Sequence, residues 1–449
     1  MTGETRLRSE DRALVLGLGI TGQSVARALR RRDIVVTVID DRPTDATREF
    51  ARDLGVDLIE SPDQETLEAA LTGAAAFIPS PGVPESHAAF GIAAAHQIPT
   101  ISEFDMARWW DDRPIAAVTG TDGKTSVTLL TVAMLEASGV AAVAVGNTET
   151  PLIDVIDDPA FDAFVVEASS FRLAHSERFE PVAAAWLNFS PDHLDVHSSL
   201  ESYENAKAKI WAFLPPDGLA VAPADDVVVR SHLPTDRPHT IVGLEPVAGV
   251  DGFVEAGRLI LDGVDIAGLE DLERTFPHDV SNTLVAAALA VKLGATVTGI
   301  RAALATHVLP PHRIQHVLTS EGVSFYNDSK ATVPHAVVTA VRAFESVVLI
   351  AGGKNKGLDL GGLRDIADRT RAVVAMGDAA EEIVAIFEGQ TNVIRATSMD
   401  EAVRVALSAA EIGDAVLLSP GCTSFDAYPN YGARGDDFIR AVHELVEVS

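Results

Sequence analysis

The chain has 449 residues, long enough for two to four domains, each with its own core. Its 47 % hydrophobic content is that of a globular protein, and no apolar run approaches the length of a bilayer-spanning helix. With 35 Lys plus Arg against 65 Asp plus Glu, the formal charge of −30 argues against nucleic acid or anionic membrane as partners. Any anionic substrate must then sit in a locally basic pocket. Cys422 is the only cysteine, so neither an intrachain disulfide nor a cysteine metal site is available. Met1 to Asp11 is charged and polar, without the apolar core of a signal peptide, and a cytoplasmic location is expected.

In chain order, Ala13 to Leu16 reads as a buried strand, followed by Gly17-Leu18-Gly19-Ile20-Thr21-Gly22, a helix Ser24 to Arg32 and a strand Ile34 to Ile39 ending in Asp40-Asp41. This is a βαβ unit with G-x-G-x-x-G at its first turn and an acid after its second strand. Alone it suits a dinucleotide-dependent dehydrogenase, but any diphosphate ligand fits such a turn. Further βα alternation runs to about Arg108 and includes Phe77 to Gly82, a strand ending in a tight loop. Asp111-Asp112-Arg113-Pro114 reads as a linker.

The strongest local signal follows. The apolar run Ile115 to Val118 leads into Thr119-Gly120-Thr121-Asp122-Gly123-Lys124-Thr125-Ser126, and a helical pattern runs from Val127 to Ala137. Strand, glycine loop and helix start form a phosphate cradle in which backbone N–H groups and Lys124 meet the phosphates and the Thr125 hydroxyl meets Mg²⁺. The full pattern wants glycine at position 118, which is valine, so the first glycine arrives late at Gly120. Strand Phe161 to Val166 ends in Glu167, where phosphate-loop proteins place a further metal contact. Strand Val182 to Leu187 leads into Asn188-Phe189-Ser190-Pro191-Asp192-His193-Leu194-Asp195-Val196-His197. The four-residue spacing of His193 and His197 raises zinc, but no third nitrogen or sulfur ligand is evident nearby, and zinc is not expected. In the helix Glu201 to Phe213, Tyr203, Lys207 and Ile210 share one face while Lys209 points elsewhere. Val227 to Asp271 is rich in strands and turns, and His278 to Asn282 opens an Ala-rich helix over 283–292.

After a second linker, Leu309 to Arg313, strands Val323 to Tyr326, Val347 to Ile350, Ala372 to Met376 and Ala415 to Leu418 alternate with helices. Polar loops follow them: Asn327 to Lys330, Gly352 to Gly357, and Ser419 to Gly421. Ligands of open parallel sheets bind at that edge. The expected fold is α/β with three domains: a Rossmann-like domain (1–112), a central P-loop ATPase domain with a mostly parallel sheet (113–310) and a C-terminal Rossmann-like domain (311–449). Two phosphate-binding turns in separate domains call for a nucleoside triphosphate with Mg²⁺ and a diphosphate-bearing substrate. A dehydrogenase uses only one of them, a simple kinase only the other. A ligase that activates one substrate with ATP and joins it to a second uses all three domains.

The segments GLGITG (17–22), SPGVP (80–84), TGTDGKT (119–125), EASSFRL (167–173), LNFSPDHLDVH (187–197), YENAKAKI (203–210), LPPHRI (309–314), YNDSKAT (326–332), LIAGGKNKGLDL (349–360) and LLSPGCTSFDAYPNYGARGDDF (417–438) together resemble the Mur ligase family of peptidoglycan synthesis along nearly the whole chain. The SPG turn and the SFD…RGD ending favour the member that adds glutamate over its siblings. The resemblance implies substrates UDP-N-acetylmuramoyl-L-alanine and D-glutamate, ATP, two Mg²⁺ ions, and a monomer working without nucleic acid or membrane. It implies an acyl-phosphate made at the expense of ATP, with Lys124, His193 and Lys207 in the catalytic group.

By motif, Gly120 to Ser126, Asn282, Arg313, Asp328 and Lys330 would contact ATP. Gly17, Thr21, Asp40, Arg42 and Ser80 would hold the uridine diphosphate region, with Asn147 and His193 along the muramoyl-alanine. Thr332, Lys356, Ser424 and Tyr431 would form the glutamate pocket, Lys354 being the substitute if the loop register slips. Thr125 and Glu167 match one metal position, and His193 and Lys207 the other, with Lys207 rather than Lys209 carrying the family's carbamate. Departures are Glu149 in GNTETP, Asp279 in HDVSN, Val333 after DSKAT, Asp41 near the uracil position, and Arg172 where FQL is common. Val333 lies beside the glutamate pocket, so addition of L-glutamate or another amino acid is the nearest alternative. A dehydrogenase and a non-catalytic nucleotide-binding module are the others.

Overall fold

The structure, a computed structural model, describes residues 6–148, 150–192 and 196–448. Three sheets follow one another along the chain. The first contains β1 (Arg12–Leu16), β2 (Val35–Asp40), β3 (Asp57–Glu60) and β4 (Ala76–Pro79), all parallel in the order β3-β2-β1-β4. The second has nine strands: β5 (Ile115–Thr119), β6 (Ala142–Gly146), β7 (Ala163–Glu167), β8 (Ala183–Trp186), β9 (Leu219–Pro223), β10 (His239–Val242), β11 (Gly252–Glu255), β12 (Arg258–Leu261) and β13 (Val264–Gly268). Their order is β13-β12-β11-β10-β9-β8-β5-β7-β6, parallel except for the antiparallel β11–β12–β13 edge. The third comprises β14 (Gln315–Ser320), β15 (Val323–Asn327), β16 (Val347–Gly352), β17 (Thr370–Met376), β18 (Asn392–Arg395) and β19 (Ala415–Gly421), ordered β14-β15-β19-β16-β17-β18 with only β14–β15 antiparallel.

Sequence explains this parallel habit. β5 (Ile-Ala-Ala-Val-Thr), β7 (Ala-Phe-Val-Val-Glu) and β16 (Val-Val-Leu-Ile-Ala-Gly) are buried at every position. Unbroken apolar runs suit strands covered by helices on both faces. Each large side chain so buried contributes roughly 1.5–3 kcal/mol.

The chain divides into two compact units. One runs to Thr275 and also takes in Asp279–His307; the other is Phe276–His278 with the chain from Val308 onward. The first unit contains both the four-stranded and the nine-stranded sheets. A single apolar cluster runs through it, from Ala13, Val15 and Val38 through Phe104 to Val166, Trp186 and Ala222.

Three helices start earlier than their sequence patterns indicated. The first begins at Ile20, inside the glycine motif, so Thr21 and Gly22 are helical. The phosphate-loop helix is Lys124–Glu136, because Gly123 at φ +83 completes the turn and leaves Lys124 free to start the helix. The Ala-rich helix is Pro277–Lys292. Proline at a first helical position loses no hydrogen bond, and Asn282 therefore lies within the helix rather than ahead of it.

Candidate active site

In the first unit, β5 delivers Gly120 and Gly123 to the edge of the nine-stranded sheet. Asn188, just past β8, pins the loop: its Oδ1 accepts from Thr121 N and Asp122 N, both at 2.9 Å. The Thr121 hydroxyl donates to Ser190 O at 3.1 Å and lies 3.3 Å from the Tyr203 hydroxyl. A Cβ on Gly123 would come within 3.0 Å of Asn282 Oδ1, so the Ala-rich helix closes against the loop through that carboxamide. Lys124 Nζ donates to Gly120 O at 2.8 Å and to Thr121 O at 2.7 Å.

Lys207 reaches the same place from the helix Leu200–Ala212. It is 2 % exposed, its Nζ donates to Gly120 O at 2.7 Å, and it lies 4.7 Å from the centre of the Tyr203 ring. Burial, aided by the Lys124 charge, holds its amine well below the usual lysine range. Tyr203 and Ile210 are buried beside it, whereas Lys209 is only half-buried and its ammonium reaches Ala174 O. The helical spacing thus separates the two lysines as the sequence indicated.

The donor set suits a hard divalent cation. Glu167, at the tip of β7, is 3 % exposed; its Oε1 accepts from Asn147 Nδ2 at 3.2 Å, and its Oε2 has no hydrogen-bond partner among the described residues. The neighbouring Thr119 Oγ1 and Ser169 Oγ are buried and unpartnered in the same sense. A buried oxygen without a donor costs about 1–3 kcal/mol, and a bound cation relieves that cost. Thr125 is the second residue of the phosphate-loop helix, and Glu167 lies beside Val118 in the β5–β7 register. His193 lies outside the described residues, as does Glu149. His197 is not arranged as a metal ligand: its Nδ1 is 2.8 Å from Glu85 Oε1 and its Nε2 is 2.9 Å from Ser170 Oγ. Among the described residues, no three His, Cys, Asp or Glu cluster as a metal site.

The other glycine turn of this unit is built from β1, β2 and β4. Gly17 N donates to Ile39 O at 2.7 Å, and Ser80 Oγ donates to Gly17 O at 2.7 Å. Gly17 has φ +88, and a Cβ on Gly22 would lie 1.9 Å from Gly17 O, so glycine is required at both. The Asp40 carboxylate accepts from Leu18 N at 2.8 Å and from Arg42 N at 2.9 Å. Asp40 thus shapes the turn with both of its oxygens, and Arg42 stays exposed. Thr21 accepts from Arg172 Nη2 at 2.8 Å.

In the second unit, the loops after β15, β16 and β19 converge on Arg434. Its guanidinium, 3 % exposed, donates from Nε to Ser329 Oγ (2.9 Å), from Nη2 to Ser329 O (2.8 Å) and from Nη1 to Cys422 O (3.1 Å). The Ser329 hydroxyl in turn donates to Tyr431 O at 2.8 Å. Asp328 accepts from Ser419 Oγ at 2.7 Å. Lys330 Nζ lies 5.4 Å from the Tyr431 ring centre, and Lys356 Nζ 5.1 Å from that of Phe425, next to the buried Ser424. The backbones of Lys354 and Thr423 pair directly. Burial pushes the Cys422 thiol up to about 12.

Known proteins match this arrangement in order and extent. A family model described as the Mur ligase MurD-like N-terminal domain matches residues 11–102, one for the Mur ligase middle domain residues 118–245, and one for the Mur ligase glutamate ligase domain residues 312–422. A protein of Desulfosudis oleivorans named "UDP-N-acetylmuramoylalanine--D-glutamate ligase" is 38 % identical over 97 % of this chain and 97 % of its own. One of the same name from Frankia casuarinae is 39 % identical over 96 % of this chain and 93 % of its own. The chain belongs to the Mur ligase family.

Among solved structures of that family's fold, a pseudomurein peptide ligase type C from Methanothermus fervidus covers 97 % of this chain and all of its own at TM-score 0.59 and 18 % identity. The UDP-N-acetylmuramate-alanine ligase of Thermotoga maritima covers 97 % of this chain and 99 % of its own at TM-score 0.55 and 17 % identity. These two show the α/β Mur ligase fold alone. The dehydrogenase reading finds no support in any of these matches.

Of the residues singled out by Mur ligase motifs, the structure gathers Gly120 to Ser126, Asn147, Glu167, Lys207 and Asn282 around one loop of the first unit. It gathers Gly17, Thr21, Asp40 and Ser80 around the other. Asp328, Lys330, Ser424 and Tyr431 converge in the second unit, with Thr332 beside them through the Gly421 N to Ala331 O bond at 2.9 Å. Arg313 is half-buried at the foot of that unit's first strand. Sequence reasoning missed Asn188, Glu103 and Arg434. Asn188 stood within a quoted motif, but nothing in its spacing revealed that it folds back on Thr121.

Proposed function

We propose that this Mur ligase adds D-glutamate to UDP-N-acetylmuramoyl-L-alanine at the expense of ATP. The observation that carries the reading is the nucleotide loop. There a buried, easily neutralised amine (Lys207), a cationic partner (Lys124) and a carboxylate oxygen without a donor (Glu167) surround one backbone carbonyl and strand end. Residues 1–112 would hold the uridine diphosphate part, residues 113–310 ATP, and residues 311–449 the amino acid. We expect a cytoplasmic monomer.

The substrate carboxylate attacks the γ-phosphorus of ATP; a P–O bond forms, the β–γ bridge breaks, and ADP leaves. The glutamate amine then attacks the acyl-phosphate carbon, loses a proton, and inorganic phosphate departs with its C–O bond electrons. Two anions must approach each other for the first step, and Lys124 lowers that barrier by screening the transferring group. Asn282 and Asp328 would orient the nucleotide, and Thr332, Lys356, Ser424 and Tyr431 the incoming amino acid. Thr125 and Glu167 would hold one Mg²⁺ ion and His193 and Lys207 a second, and the ions would supply further charge neutralisation. Lys207 fits that role as a carbamate. The ammonium first loses a proton; carbon dioxide then adds to the neutral amine, a second proton leaves, and what was a cation is an anionic oxygen donor.

Phosphate release from ATP and UDP-N-acetylmuramoyl-L-alanine, with D- and L-glutamate offered separately, tests the reading. Release with D-glutamate is expected; release with L-glutamate alone would overturn the substrate assignment and keep the mechanism. Lys207→Ala should be nearly inactive and partly restored by short carboxylic acids, and a failure of rescue at every concentration counts against the carbamate.

A further inference from the structure

Arg172 belongs to the short helix Ser170–Ala174, which follows β7 and Glu167 in the nine-stranded part of the first unit. Its guanidinium does not stay there. Nη1 donates to Glu103 Oε2 at 2.5 Å, and Nη2 donates to Thr21 Oγ1 at 2.8 Å, in the first turn of the helix that begins in the other glycine motif. Arg172 is 8 % exposed and Glu103 5 %, and the second carboxylate oxygen of Glu103 accepts from Ile153 N at 2.8 Å. Arg172 Nε has no hydrogen-bond partner among the described residues. A buried ion pair is a weak source of stability, because desolvation offsets most of its attraction. Its geometry therefore calls for another explanation.

The hydroxyl chemistry provides one. A threonine hydroxyl offers one hydrogen and two lone pairs. At Thr21 a lone pair is occupied by a charged donor, and the hydroxyl hydrogen meets no acceptor among the described residues. The helix Ile20–Arg30 has no acidic residue in its first turn and no side-chain cap at Gly19, so its N-terminus keeps its attraction for an anion. A hydroxyl polarised from behind by a guanidinium is a stronger donor to such an anion than an isolated one. Resting on the assignment of this turn to the uridine diphosphate moiety, we propose that Arg172 is a positioning residue for that substrate: anchored by Glu103, it fixes and polarises the Thr21 hydroxyl as a donor to the diphosphate.

Burial holds the Glu103 carboxyl above its usual range despite the Arg172 charge. A glutamine at this place would bring no charge to the hydroxyl.

The test measures calorimetric affinity of the full-length protein for UDP, with Mg·ADP as a separate probe of the nucleotide loop, in wild type, Arg172→Gln and Thr21→Val. Both variants should bind UDP at least tenfold more weakly and Mg·ADP within twofold of wild type. The double variant should be no worse for UDP than Thr21→Val alone, and KM for the UDP substrate should rise more than kcat falls. UDP affinity within twofold of wild type in folded Arg172→Gln, accompanied by a lower Tm, would reduce Arg172 to a structural clamp and overturn the proposal. Thr21→Val exchanges only the hydroxyl for a methyl and decides the matter if Arg172→Gln does not fold: unchanged UDP affinity refutes the relay. Wild-type protein that binds Mg·ADP but not UDP would instead remove the assignment of the turn.

Discussion

The two glycine turns of the first unit share a plan, strand to turn to helix N-terminus, but gather their positive charge in opposite ways. At Gly120–Ser126 the cation is part of the loop itself: Lys124 folds back on Gly120 O and Thr121 O, and Lys207 joins it on the same carbonyl. At Gly17–Gly22 the loop supplies no cation, and a guanidinium arrives through a threonine from 151 residues away. A self-contained lysine suits a phosphoryl group whose charge changes during reaction, where a donor close to the moving charge has most effect. A remote arginine held by a carboxylate suits a diphosphate that is only gripped.

The comparison can be broken at each turn. Lys124→Ala should reduce ATP-dependent ligation by about 10³-fold while leaving UDP affinity unchanged, as measured by kcat/KM and calorimetry. If UDP binding falls equally, the turns are not independent. Gly22→Ala should act in reverse. Its added methyl meets Gly17 O at 1.9 Å, so the N-terminal turn must open. A loss of about 2–3 kcal/mol in urea unfolding is expected, with UDP affinity lost and Mg·ADP binding kept.

The smallest effect comes from His175, next to Arg172's helix, whose ring stacks on Phe90 at 4.8 Å. Burial, with the Lys209 charge, depresses it from 6.5 to about 4. Because the folded state resists protonation, the contribution is fully present above pH 6.5 and is lost as pH falls toward 4. The cost is about 2 kcal/mol at pH 5. Urea unfolding at pH 7 and 5 checks this, and His175→Phe should flatten that part of the profile.

What the sequence revealed was whatever spacing along the chain encodes. Both glycine turns, the acid at the tip of β7 and the outward turn of Lys209 relative to Lys207 all follow from local periodicity. Helix starts were less legible. At Lys124 the turn ends one residue after Asp122, and at Pro277 polar residues such as Asp279 and Ser281 mimic a loop. Contacts across long separations were not legible at all. Glu103 meets Arg172 across 69 residues, and Glu85 meets His197 across 112. Arg172 could be noticed as a departure from FQL, but its partners are fixed by how the two sheets pack through one apolar cluster.

Cys422 offers a practical opening. Its sulfur is covered, and its proton is held so firmly that little reactive thiolate forms at neutral pH. Maleimide dyes would pass it over, so the natural chain already serves as a blank background for labelling. A cysteine placed on an exposed face of the first unit would then carry a single fluorophore at a known position, and its emission could report ligand binding to that unit.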